Sequence, residues 1–108
     1  MLIPERLETL LRYLTISEET TIDRLLGGQI ATELDPKTTT LAVVSALVGA
    51  EADGPSYQAA IDAARAAGAN DEEIVDTVVT IAPLVGAARL EAAIPALIVA
   101  LGDGVKPV

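Results

Sequence analysis

The chain has 108 residues, enough for one ordinary domain with a single core and too few for two. Its 16 acidic and 7 basic residues leave a formal net charge of −9, which repels phosphate backbones and anionic headgroups and argues against nucleic acid or a membrane surface as a partner. With no cysteine and no histidine, disulfides, thiolate nucleophiles and thiolate metal sites are excluded, and no side chain titrates near neutrality unperturbed.

Hydrophobic spacing and capping residues predict five helical segments, the last broken in two, and no stretch alternates long enough to compete as a strand. The first helix begins near Pro4, with Leu7, Leu10, Leu11 and Leu14 at helical spacing. Ser17 followed by Glu18 and Glu19 is expected to cap a second, which ends around Gly27 and Gly28. After a connector over 29–34, Asp35 supplies an N-cap and Pro36 the first position of a third helix reaching about Val48. A loop from Gly49 leads to Pro55, which opens a fourth helix over 56–67, and Gly68 suits its left-handed end. Asn70 and Glu73 form the two halves of a capping box, with three acids facing the positive end of a long fifth helix. Pro83 and Gly86 should bend or break that helix, leaving a final piece over 87–101 with Gly102 as its stop. Asp103 to Val108 reads as a loose end.

Hydrophobic residues make up 51% of the chain but aromatic ones only 2%, so the core must be built from Ala, Leu, Val and Ile. Together with a mean hydropathy of +0.46, this predicts that apolar surface is buried between copies of the chain. The most apolar stretch, Ile74 to Leu101, is interrupted by Asp76, Arg89 and Glu91 and punctuated by Pro83 and Pro95, so it reads as packed protein rather than a membrane span. The first residues carry no basic and apolar secretory pattern, and a cytoplasmic location is the expectation.

From Leu34 to Leu101 the order of motifs resembles the carboxymuconolactone decarboxylase and alkylhydroperoxidase D-like family. The residues that carry the resemblance are Leu34-Asp35-Pro36-Lys37 before an apolar helix, Ser56-Tyr57 before an alanine-rich one, Ala66 to Ile74, and Ile81 to Arg89. The resemblance implies an all-α helical bundle with a central helical hairpin and about five to six helices, assembled as a trimer or hexamer. It divides the single domain into N-terminal helices over 1–33, a family core over 34–102 and a tail over 103–108. The family's peroxidase branch works through a glutamate, a Cys-x-x-Cys pair and a following histidine. Counted back from Gly68, the histidine position falls on Ala60, the cysteines near Asp53 and Ser56, and the glutamate within Thr38 to Leu41. None matches, so thiol peroxidase chemistry is not expected, because the thiolate is the nucleophile.

The side chains left as candidates lie near that ancestral position. Tyr57 and Ser56 are the catalytic candidates, with Tyr57 donating a hydrogen bond or proton to a ligand oxygen. On the blander alternative, Ser56 and Gln58 satisfy helix-end groups and Tyr57 is a core residue with a hydrogen-bonded hydroxyl. Val43, Val44, Leu47, Gln58 and Ile61 are expected to line an apolar pocket, with Arg89 as an anionic anchor. Arg89, set between Val85 and Leu90, is expected to be buried against Glu91, Asp76, a neighbouring subunit's acid or a ligand carboxylate. Glu51 and Asp53 read as a solvated loop, and Asp71 to Glu73 as acids facing a helix dipole rather than a metal site.

No metal or cofactor is expected. The leading functional expectation is a homo-oligomer that binds a small organic molecule, such as a carboxylate or lactone, or acts on it without a cofactor as a decarboxylase, isomerase or lyase would. The alternative is a structural or interaction protein that keeps only the assembly.

Overall fold

The computed structural model describes residues 3–102, and every regular element among them is a helix. In chain order these are α1 (Glu5–Thr15), α2 (Glu19–Leu26), α3 (Pro36–Gly49), α4 (Gly54–Ala66), α5 (Asp71–Val85) and α6 (Ala87–Leu101). The expected tail beyond Gly102 lies outside the described residues.

Local side-chain chemistry sets most of the helix starts. Asp35 Oδ1 accepts from the Thr38 N–H at 2.7 Å, with Pro36 in the first turn where its missing N–H is harmless. Asn70 Oδ1 accepts from the Glu73 N–H at 2.8 Å while Glu73 Oε1 accepts from the Asn70 N–H at 3.1 Å, closing the expected capping box. Two starts differ from the sequence reading. Ser17 adopts a φ of 55°, and it is the Glu18 carboxylate that caps α2 by accepting from the Thr20 and Thr21 N–H groups. α4 begins at Gly54 rather than Ser56 because Asp53 Oδ1 accepts from the Ser56 N–H at 2.9 Å and so draws the first turn back.

The predicted break between the last two helices falls at Gly86, whose φ of 84° suits glycine. Pro83 lies inside α5 without ending it. Its ring nitrogen has no hydrogen to donate, so the Val79 carbonyl loses its helical partner while the helix runs on to Val85.

The chain forms two compact units. In the unit from Leu34 onward, α3 packs against α4, α5 and α6, and α4 against α3 and α6. From Leu41 onward α3 is almost wholly apolar, and it buries Val44 and Val48 against the other three helices while Val43 stays exposed. The core joins Val44 and Val48 of α3 to Tyr57 and Ile61 of α4, Ile74 and Val78 of α5, and Leu97 and Leu101 of α6. Alanines at 60, 64, 69, 93 and 100 fill the remaining buried positions of this core, and those within helices permit close helix approach.

Two polar fasteners tie this unit together. Lys37, at the start of α3, pairs with the capping-box residue Glu73 at the start of α5. Arg65 near the end of α4 makes a two-pronged contact with Asp71, Nε to Oδ1 at 2.9 Å and Nη2 to Oδ2 at 3.1 Å. The same Nη2 donates to the Leu101 carbonyl at 2.9 Å, so one guanidinium joins α4, α5 and the last turn of α6.

The unit up to Glu33 packs α1 on α2. Arg6 Nη1 donates to the Ala31 carbonyl at 2.9 Å and holds the connector after α2 to the start of α1. Thr21 is its only buried described residue; Leu7, Leu10 and Leu14 are half-buried, while Leu11, Ile16 and Leu26 are exposed.

Candidate functional site

The expected site residues divide between the core and the surface. Val44, Tyr57 and Ile61 are 0–1% exposed and belong to the packed core, Leu47 lies against it, and Val43 faces outward. The Tyr57 hydroxyl is buried without a hydrogen-bond partner among the described residues. Burial pushes the phenol above its ordinary pKa, so at neutral pH it is a proton donor and not a base. The expectation of a hydrogen-bonded core hydroxyl is therefore not met.

Ser56 and Asp53, the positions to which the resemblance would assign a thiol pair, are joined by the cap that starts α4. That hydrogen bond from the Ser56 N–H holds the Asp53 carboxyl below the usual carboxylate range. Ala60, at the histidine position, is buried among apolar neighbours. Gln58 is exposed and its Nε2 donates to Asp62 Oδ1 one turn later at 3.0 Å.

Arg89 corrects the sequence reading most sharply. Its side chain is 54% exposed, and its nearest acid is Glu51 at 3.8 Å, with neither Glu91 nor Asp76 engaged. The apolar neighbours that suggested burial do not enclose it, since Gly86, Ala87 and Ala88 are themselves exposed at the start of α6. Glu51, expected in a solvated loop, reaches Arg89 from a backbone turn with a φ of 53°.

Three surface grooves accompany these residues, and none of the three is lined by Tyr57 or Arg89. One of about 450 Å³ lies between the start of α4 and α6, bordered by Pro55, Gln58, Pro95 and Val99; Gln58 is the one expected site residue to reach a groove. A second, about 220 Å³, runs between α5 and α6 and is lined wholly by Ile74, Val75, Val78, Ile94, Leu97, Ile98 and Leu101. The third, about 380 Å³, lies within the N-terminal unit between α1, α2 and the residues after them, and carries Arg6 and Arg24.

Sequence reading did not single out the last two. A signal for the α5–α6 groove was present, because Val75 and Val79 fall off the Ile74–Val78–Ile81 face and leave α5 apolar on a second side. Asp71 and Glu73 are engaged by Arg65 and Lys37, which depress both carboxyls below their ordinary values. Among the described residues no group of three or more acidic side chains is placed to hold a metal ion, and no helix is long and apolar enough to cross a membrane.

The family model of the carboxymuconolactone decarboxylase family matches residues 19–98 of the chain. No curated protein and no solved structure matches it.

Proposed function

The chain belongs to the carboxymuconolactone decarboxylase family, and we propose that it acts within that family as a homo-oligomeric assembly protein without thiol chemistry, self-associating through the α5–α6 face. The observation that carries this reading is the apolar groove between those helices with Val75, Val79, Ile94 and Ile98 exposed around it, 42–63% each. A partner for this face must be apolar there, and a second copy of the chain qualifies on charge as well. Two chains of net charge −9 repel, and a contact lined by no charged group lets them meet without opposing carboxylates.

Close packing around Tyr57 supports the assembly role over an internal pocket. Val44, Tyr57 and Ile61 fill the space that a ligand would need. Native mass spectrometry of the protein purified from its own host reads subunit number and retained ligand together. A trimer, hexamer or other closed multiple without bound mass is expected; a stable monomer contradicts the proposal.

A second reading rests on the unpartnered Tyr57 hydroxyl. A buried polar group left unpaired is costly, and a role in binding or catalysis is one reason such a group is kept. On this reading the core opens to admit a small organic molecule, a carboxylate or a lactone, and Tyr57 donates to its oxygen without any cofactor. A retained small molecule in the native mass spectrum that is lost on Tyr57→Phe would favour it.

A further inference from the structure

The groove of the N-terminal unit stands apart electrostatically from the rest of this acidic chain. Thr9 and Leu10 lie three and four residues after Arg6, and Tyr13 four and three after them, so one face of α1 forms its first wall. Thr21 and Arg24 of α2, three apart, form the facing wall, and Gln29 and Ile30 close one side. No Asp or Glu lines it, although the sequence contains 16.

Thr21 gives its hydroxyl to Glu18 and Arg6 a hydrogen to the Ala31 carbonyl, but the other polar side chains of the groove are unengaged among the described residues. Arg12, Lys37, Arg65 and Arg89 each have a carboxylate within 4.0 Å, and Arg6 has Glu33 at that limit. Arg24 alone among the described cations has none. The side chains of Thr9, Tyr13 and Gln29 likewise make no hydrogen bond among the described residues, whereas Thr15, Thr40, Ser45, Thr77 and Thr80 all return their hydroxyls to a helix carbonyl. Four unengaged donor side chains, Thr9, Tyr13, Arg24 and Gln29, therefore line one concavity of about 380 Å³, within the size range of small-molecule sites.

We infer that this groove binds a small organic carboxylate with an apolar or aromatic body. The Arg24 guanidinium supplies a planar fork that matches a carboxylate, and the hydroxyls of Thr9 and Tyr13 and the Gln29 amide are further donors. Leu10, Ile30 and the Tyr13 ring receive the apolar body. One free guanidinium, with Arg6 already giving a hydrogen to Ala31 and lying near Glu33, matches a monoanion better than a phosphate dianion. The site lies wholly within residues 6–31 and stands independently of the assembly and of Tyr57.

The test is an amide-resolved NMR titration of the full chain with benzoate, benzamide and phenyl phosphate, repeated on Arg24→Gln. Arg24 is exposed and unpaired, so the variant should keep the wild-type spectrum away from the groove. Saturable benzoate shifts confined to 6–31, weakened on the order of tenfold in Arg24→Gln and absent with benzamide, are expected. Benzamide binding as well as benzoate, benzoate binding unchanged in Arg24→Gln, or no saturable shift would overturn the site. Tighter binding of phenyl phosphate would overturn the choice of carboxylate.

Discussion

Replacing Tyr57 with phenylalanine removes a hydroxyl that is buried without a partner while keeping the ring that fills the core. If the residue serves packing, Tyr57→Phe should raise unfolding stability by about 1 kcal/mol, because the penalty of an unsatisfied buried group disappears. Reversible denaturation at fixed protein concentration reads this directly, and a clear loss of stability would mean that the hydroxyl has a partner in solution. Residue-scale legibility followed range. Asn70 and Asp35 were readable because a cap bonds only two or three residues onward. Arg89 was not, because its burial depends on what α6 packs against, and its acid, Glu51, lies 38 positions back along the chain. The Tyr57 hydroxyl was expected to find a partner by the general rule for buried phenols, and this core of Val, Ile and Ala offers none nearby.

At the scale of elements, the starts of α2, α3, α4 and α5 share one device, a side-chain oxygen that accepts backbone N–H groups left over by the first turn. Asn70→Ala should therefore cost about 1 kcal/mol, the usual loss for a cap, and it also frees Glu73 from half of its box. A denaturation midpoint equal to that of the wild type would show that the α5 start is held by Lys37 and Arg65 instead. Each of these four starts also carries a charge. The Thr21 hydroxyl and N–H lower the Glu18 carboxyl, the Thr38 N–H lowers Asp35, the Ser56 N–H lowers Asp53, and Arg65 and Lys37 lower Asp71 and Glu73.

A carboxyl depressed in the folded state binds protons more readily when unfolded, so its contribution is present above the unfolded pKa and is lost as pH falls through the folded one. Urea midpoints should hold from neutral pH down to about pH 5 and then fall, and Asp35→Asn with Asp53→Asn should flatten the fall, since asparagine caps without titrating. A midpoint constant down to pH 3 would contradict this. Six helices with their breaks at Gly68 and Gly86 were legible because glycine, proline and caps punctuate the chain locally. The move from Ser17 to Glu18 at α2 arose where two adjacent residues could each cap, and the shift of two residues at α4 arose because Asp53, read as loop, caps the helix.

For the molecule as a whole, the sequence pattern distinguishes apolar from polar faces but not a core from an interface. Val75 and Ile98 carry the same hydrophobic signal as Val78 and Leu97, yet the first pair is 45% exposed and the second is buried. The high hydropathy without large aromatics therefore predicted association without saying where. Under the proposed assembly, the exposed apolar residues on α5 and α6 are where the contact forms. Sedimentation equilibrium of the wild-type chain and of Val79→Glu is the direct measurement. Val79 is 63% exposed, so a charge there leaves the chain's own core intact but buries an unpaired carboxylate in any contact made through this face. The wild type should sediment as a stable multiple of the chain at micromolar concentration and Val79→Glu as a folded species of lower mass, whereas a monomeric wild type, or a variant that associates equally well, would contradict the account.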